Sequence, residues 1–129
     1  MAQVKIYGLA DQLRPVQVAL SEAVHGAVMA ALAYPPDKRF HRFFPLDRND
    51  FLFPHDRSER YTIVEISMFA GRSVDAKRRL IGELYRRVEA ATGIEPVDLE
   101  ITITETPRHD WGIRGVPGDE LDLGYRVEV

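Results

Sequence analysis

Apolar and polar positions alternate and then recur at helical spacing, and the chain does this twice, 60 residues apart. Val4 and Ile6 alternate with Lys5 and Tyr7, which predicts a short strand ended by Gly8. Val16, Leu20, Ala23, Val24, Ala27, Val28, Ala31 and Leu32 then form one helical stripe. Pro15 falls near its start, where a missing N–H costs nothing, and Pro35-Pro36 stops it. Residues 39–44 predict a weaker second strand. In residues 61–69, Val64, Ile66 and Met68 share one face while Ile63, Glu65 and Ser67 take the other. Gly71 turns the chain and Ser73 suits a helix N-cap. Leu80, Ile81, Leu84, Val88 and Ala91 mark a helix over 74–92, with Gly93 as its C-cap. Leu99, Ile101 and Ile103, alternating with Glu100, Thr102 and Thr104, predict a fourth strand.

Laid over each other without a gap, Val4 and Ile6 meet Val64 and Ile66. Leu20, Val24 and Val28 meet Leu80, Leu84 and Val88, and Pro36 meets Pro96. The order of alternation, stripe and proline reads as two β-α-β units, about residues 2–45 and 61–105, with a tail over 106–129. One domain spanning 1–129 is expected, of α/β class, with a four-stranded sheet and two helices on one face. A ferredoxin-like domain has the same element order and is the rival. Phe51 and Phe53 predict that the proline-containing linker 45–60 is a packed loop. The tail carries Gly112, Gly115, Gly118 and Gly124 and a candidate fifth strand at 125–129. The helix-free sheet face, partly polar through Thr, Glu and Ser, needs a cover that self-association would supply.

Composition narrows the function classes. The 129 residues, 45% of them hydrophobic, can bury a real core. A net charge of −3 gives no reason to expect nucleic acid. The absence of cysteine excludes disulfides, thiolate metal sites and cysteine nucleophiles. The longest apolar run, residues 27–34, is too short to span a bilayer, and the N-terminus lacks the features of a signal peptide. A cytoplasmic location without membrane contact is the expectation.

The stretch MFAGRSVDAKRRL at 68–80, GIEPVDLEITITE at 93–105, DWGIRG at 110–115 and HGAV at 25–28 together resemble the tautomerase superfamily. The likeness is greatest to its malonate semialdehyde decarboxylase-like branch, including bacterial members without assigned function, and it covers nearly the whole chain. The resemblance implies a tautomerase or MIF-like fold, a homotrimer and cofactor-independent chemistry on small 2-keto or enol carboxylates. It also implies an N-terminal proline as base or acid, with arginines gripping the substrate carboxylate. Here the chain begins Met1-Ala2-Gln3, and Ala2 stands where the family has its proline. The family's water-assisting acidic residue matches Lys38. Of the two arginines, one matches Ala70 and the other Arg72, so Arg72 and Trp111 are what remain of the family's set.

Each candidate has a plainer reading beside the functional one. Arg72, between a strand end and a helix start, suits a carboxylate bidentately or is a solvated turn residue. The Ala2 amine, freed by loss of Met1 and lowered by an apolar pocket, would be a base or Schiff-base former; an inert terminus is the preferred alternative. Trp111 walls the pocket or packs under the tail. Lys38, Arg39 and Arg42 form a basic cluster on the second strand, either a solvated face or further substrate contacts. Arg57 ties the linker through Asp56 or Glu59. His25 reads as a packed residue, and His25, His41, His55 and His109 show no metal-ligand spacing. Asp119, Glu120 and Asp122 read as a solvated acidic turn, so no metal site is expected. The function that the resemblance implies for these residues is binding of a small carboxylate with weak cofactor-free tautomerase or lyase activity. The alternative is a non-catalytic ligand-binding or structural trimer.

Overall fold

The computed structural model describes residues 2–129. Strand β1 runs over Ala2–Leu9 and is followed by a helical turn α1, Ala10–Leu13, a 3-10 turn Arg14–Val16 and helix α2, Gln17–Leu32. Strand β2, His41–Leu46, completes the first unit. The second unit is β3, Thr62–Phe69, α3, Val74–Thr92, and β4, Leu99–Thr106. A small hairpin, β5 at Gly112–Ile113 and β6 at Val116–Pro117, lies in the tail.

The four long strands form one sheet in the order β2-β1-β3-β4. Within each unit the strands pair directly and in parallel, Val4 opposite His41 and Thr62 opposite Leu99. The units meet through antiparallel β1 and β3, Val4 opposite Ile66. This order excludes the ferredoxin-like rival, in which each β-α-β unit is split by an intervening strand. Period-two alternation sets the faces: Val4, Ile6, Val64 and Ile66, at most 1% exposed, point to the helices. They pack against Leu20, Val24 and Val28 of α2 and Leu80, Leu84 and Val88 of α3. Each such fully buried side chain contributes roughly 1.5–3 kcal/mol of hydrophobic stabilisation. The opposite face carries Gln3, Lys5, Tyr7, Arg42, Phe44 and Glu65, with Tyr7 and Phe44 stacked at 4.8 Å.

Helix ends follow the expected chemistry with one exception. The Ser73 hydroxyl accepts from the Ala76 amide at 3.1 Å, and Gly93 ends α3 at φ 75°. Helix α2 instead ends on Ala33 at φ 51°, the left-handed region that a Cβ disfavours. Counted from Ala10 to Leu32 this helical stretch has the length and apolarity of a membrane span, more than the run over 27–34 suggests. Its buried stripe packs into the core against the sheet and α3.

Two expectations need correction. Strand β2 begins at His41, leaving Lys38 and Arg39 in the turn before it, because Pro35 and Pro36 hold the chain off the sheet. Residues 125–129 form no strand; Val127 is buried against Phe69, and the Val129 carbonyl accepts from the Ser73 amide at 3.0 Å. The linker is packed as expected, with Phe51, Phe53 and Tyr61 in mutual ring contact. Arg57 pairs with Asp56 and Glu100, and buried Asp98 accepts from the Ser58 amide and hydroxyl.

Candidate functional site

The site forms where β1 begins and β3 ends. Antiparallel pairing sets Ala2 opposite Met68, and parallel pairing sets Glu105 of β4 opposite the same Met68. Ala2, Met68 and Glu105 therefore form one row across the helix-covered face, with Ala2 and Glu105 two strand spacings, roughly 10 Å, apart. Beyond Met68 the chain leaves the sheet at Phe69, turns through Gly71 at φ 133° and enters α3 at the Ser73 cap. A Cβ on Gly71 would meet Val127 Cγ1 at 3.1 Å. This tight turn directs Arg72 inward, beneath the tail.

Arg72 is 5% exposed. Its Nη1 donates to the Phe69 carbonyl at 3.4 Å and the Tyr125 hydroxyl is hydrogen-bonded to the side chain, while Nε and Nη2 are buried with no partner atom of their own among the described residues. No carboxylate lies within ion-pair distance of it among the described residues. Burial lowers its pKa, and Tyr125, Tyr34, Glu105 and Glu128 oppose that shift. Removing a guanidinium from water without a partner costs several kcal/mol. A planar guanidinium with two open N–H edges has the geometry to receive an anion bidentately.

Two tyrosines adjoin it. The Ala2 amide donates to the Tyr34 hydroxyl at 3.0 Å, and the Tyr34 and Tyr125 rings meet edge to face at 5.3 Å. Burial is the main cause that raises the Tyr34 pKa well above the ordinary phenol range, and the Ala2 N–H and Arg72 only partly offset it. Burial likewise raises Tyr125, against the pull of Tyr34 and Arg72. Both phenols therefore hold their protons at neutral pH, and the two hydroxyls are hydrogen-bonded to each other. On the other side, Lys77 Nζ donates to Glu105 Oε1 at 2.6 Å, and Glu105 Oε2 is buried without a partner among the described residues.

The residues singled out from sequence fall in three places. Arg72 and Ala2 come together through Tyr34. Trp111 lies one ring further out, edge to face on Phe69 at 5.1 Å, with Nε1 donating to Thr106 Oγ1 at 2.6 Å. Arg42 is exposed on the helix-free face and donates to Gln3 Oε1 at 3.1 Å, and Lys38 is half-buried in the turn after α2. His25 is packed, its Nε2 2.8 Å from the Pro36 carbonyl. Met1, whose loss would free the Ala2 amine, lies outside the described residues. No three His, Asp or Glu side chains gather as a metal site among the described residues.

Tyr34, Tyr125, Lys77 and Glu105 were not anticipated. Glu105 did leave a signal: it continues the parity of Leu99, Ile101 and Ile103, so a charge occupies a core-facing position. The tyrosines left none, because Tyr34 lies at the end of an apolar run and Tyr125 in a tail.

The family described as "Tautomerase enzyme" matches residues 38–114, well over half of the chain. A probable tautomerase of Ralstonia nicotianae is 33% identical over 55 residues, 43% of this chain and 79% of that one. A malonate semialdehyde decarboxylase solved with the inhibitor 3-bromopropiolate superposes with a TM-score of 0.77 at 29% identity, covering 85% of this chain and 87% of that one. The symmetric trimer of fused 4-OT superposes at 0.78 with 20% identity, over 91% and 96% of the two chains, a likeness of fold. The paired β-α-β units, the turn carrying Arg72 and the sequence match agree, and the chain belongs to the tautomerase family.

Proposed function

We propose that this protein binds a small 2-keto or enol carboxylate at Arg72 and acts on it, weakly, as a cofactor-free tautomerase or related lyase. The observation that carries the reading is the buried guanidinium with two unpartnered nitrogens beside the first residue of β1. A carboxylate would accept from Nε and Nη2 together, and the protonated Tyr34 and Tyr125 would stand beside it as donors. The Ala2 amine, once Met1 is lost, would be the proton carrier, with Trp111 closing the outer wall. Lys38 and Arg42 remain further candidate contacts, Arg42 from the opposite sheet face of a neighbouring copy. The assembly that fits is a homotrimer, the state named for the fused 4-OT neighbour.

One observation favours the second reading, a ligand-binding trimer without catalysis. Ala2 replaces the family's proline, and its nitrogen is engaged by Tyr34 at 3.0 Å. A primary amine at this position lacks the secondary nitrogen and the fixed ring that proline supplies.

Calorimetric titration with pyruvate tests the shared core of both readings. Arg72→Ala should weaken binding by tens-fold, because a charge-assisted hydrogen bond is worth about 1.5–3 kcal/mol. Equal affinities in wild type and variant would refute the site.

A further inference from the structure

The Lys77–Glu105 pair is absorbed by neither reading, and its geometry is that of a second recognition element. Glu105 occupies the row Ala2–Met68–Glu105 on the covered sheet face, at the end of β4 beside the turn that holds Arg72. Lys77, one turn into α3, fixes Oε1 at 2.6 Å and leaves Oε2 buried and unpartnered. The Glu105 charge acts on Arg72, yet the two form no ion pair among the described residues. Among the described residues a buried acceptor atom, Glu105 Oε2, therefore stands near two buried donor atoms, Arg72 Nε and Nη2, with no hydrogen bond between them. Direct pairing would be the cheap solution for such groups. Held apart, they match a ligand that brings an acceptor to one and a donor to the other.

We propose that Glu105 is a specificity-determining residue of the Arg72 site, selecting acids that carry a hydroxyl next to the carboxylate. The inference rests on Arg72 receiving the carboxylate. A simple carboxylate satisfies the guanidinium and leaves its own charge facing the Glu105 carboxylate, an unfavourable approach of like charges. A 2-hydroxy acid, an enol acid or the hydrate of a 2-oxo acid places an O–H beside the carboxylate, and that O–H donates to Oε2. The bond is charge-assisted and in a water-poor site, so the missing hydroxyl leaves a buried acceptor empty. Lys77 has a positioning role: its bond to Oε1 fixes the Glu105 side chain and leaves Oε2 as the open acceptor.

Calorimetry on the full chain with 2-hydroxypropanoate and propanoate tests this. Wild type should prefer the hydroxy acid by about tenfold or more. Glu105→Gln should cut that preference to roughly threefold or less while propanoate binds as well or better, because one repelling charge is gone. The double variant Lys77→Met with Glu105→Leu removes the pair together, so no ammonium is left alone, and should also lose the preference. An unchanged preference in folded Glu105→Gln overturns the proposal, and so does a wild type that binds both acids equally. In both cases Arg72 recognition stands. A wild type that binds neither acid overturns the Arg72 reading and this inference with it.

Discussion

Arg72 and Ala2 show how a single side chain acquires a role through what is missing around it. An arginine in a turn is ordinarily solvated, but here it is 5% exposed, and two of its nitrogens lack a partner among the described residues. Ala2 has the position for proton transfer without the secondary amine and fixed ring of proline. Ala2→Pro, in a chain whose mass confirms loss of Met1, should raise ketonisation of phenylenolpyruvate by roughly a hundredfold over a weak wild-type rate. No gain would favour the non-catalytic reading, and brisk wild-type turnover would assign the chemistry to another group. His41 offers a test of stability. Burial, helped by the His25 and Arg39 charges, lowers its pKa from 6.5 to about 4, and its Nδ1 lies 2.8 Å from Ser21 Oγ. The unfolded chain takes up this proton near pH 6.5 while the folded chain resists it until about pH 4. The His41 contribution is thus complete above the unfolded pKa and is lost as pH falls toward 4. Denaturation of wild type and His41→Gln between pH 7 and 5 should show a shallower pH slope in the variant; equal slopes would remove His41 as the cause.

At the level of elements, sequence signals worked wherever they were local. Ser73 and Gly93 cap α3 as their types predict, since capping depends on a few neighbouring backbone groups. Helix α2 lacks such a cap and closes on Ala33 at φ 51°. Ala33→Gly removes the Cβ penalty, so it should stabilise the fold by about 1 kcal/mol. Thermal unfolding should show a rise of a few degrees, and a fall would mean that the Ala33 methyl contributes packing that outweighs its strain. The tail shows the limit of local signals. Alternation suggested a strand at 125–129, but Val127 finds a pocket beside Phe69, and side-chain burial there outweighs strand pairing. Gly118 shows the same tertiary control, since a Cβ at that position would lie 2.5 Å from the Arg108 carbonyl. Arg108 itself holds the Gly118 and Leu121 carbonyls, which fixes the loop under Trp111.

At the scale of the molecule, the sheet leaves Gln3, Lys5, Tyr7, Phe44 and Glu65 on a face that no element of the described chain packs as the helices pack the other. A mixed polar and aromatic surface of this kind fits association between copies more than a solvated sheet. Light scattering at micromolar concentration should give three times the 14.7 kDa chain mass, and a stable monomer would refute the trimer. The tail packs on its own chain, with Val127 against Phe69 and the Val129 carbonyl on the Ser73 amide.

The sequence by itself determined the repeated β-α-β units, the inward and outward faces of each strand and the caps of α3. Those properties follow from period-two and period-3.6 burial and from local hydrogen bonds, which a linear pattern records directly. It also marked Arg72 and Ala2, through position in the pattern and family likeness. The order β2-β1-β3-β4 was decided only in three dimensions, because parallel pairing within units and antiparallel pairing between them depend on long-range contacts. That order alone places Ala2 and Glu105, 103 positions apart in the chain, on either side of Met68. Tyr34 and Tyr125 join them because a helix end and a tail converge over the same turn. The arrangement is thus a product of register: a one-residue slip of β4 would turn Glu105 to the opposite face, away from Met68 and Lys77.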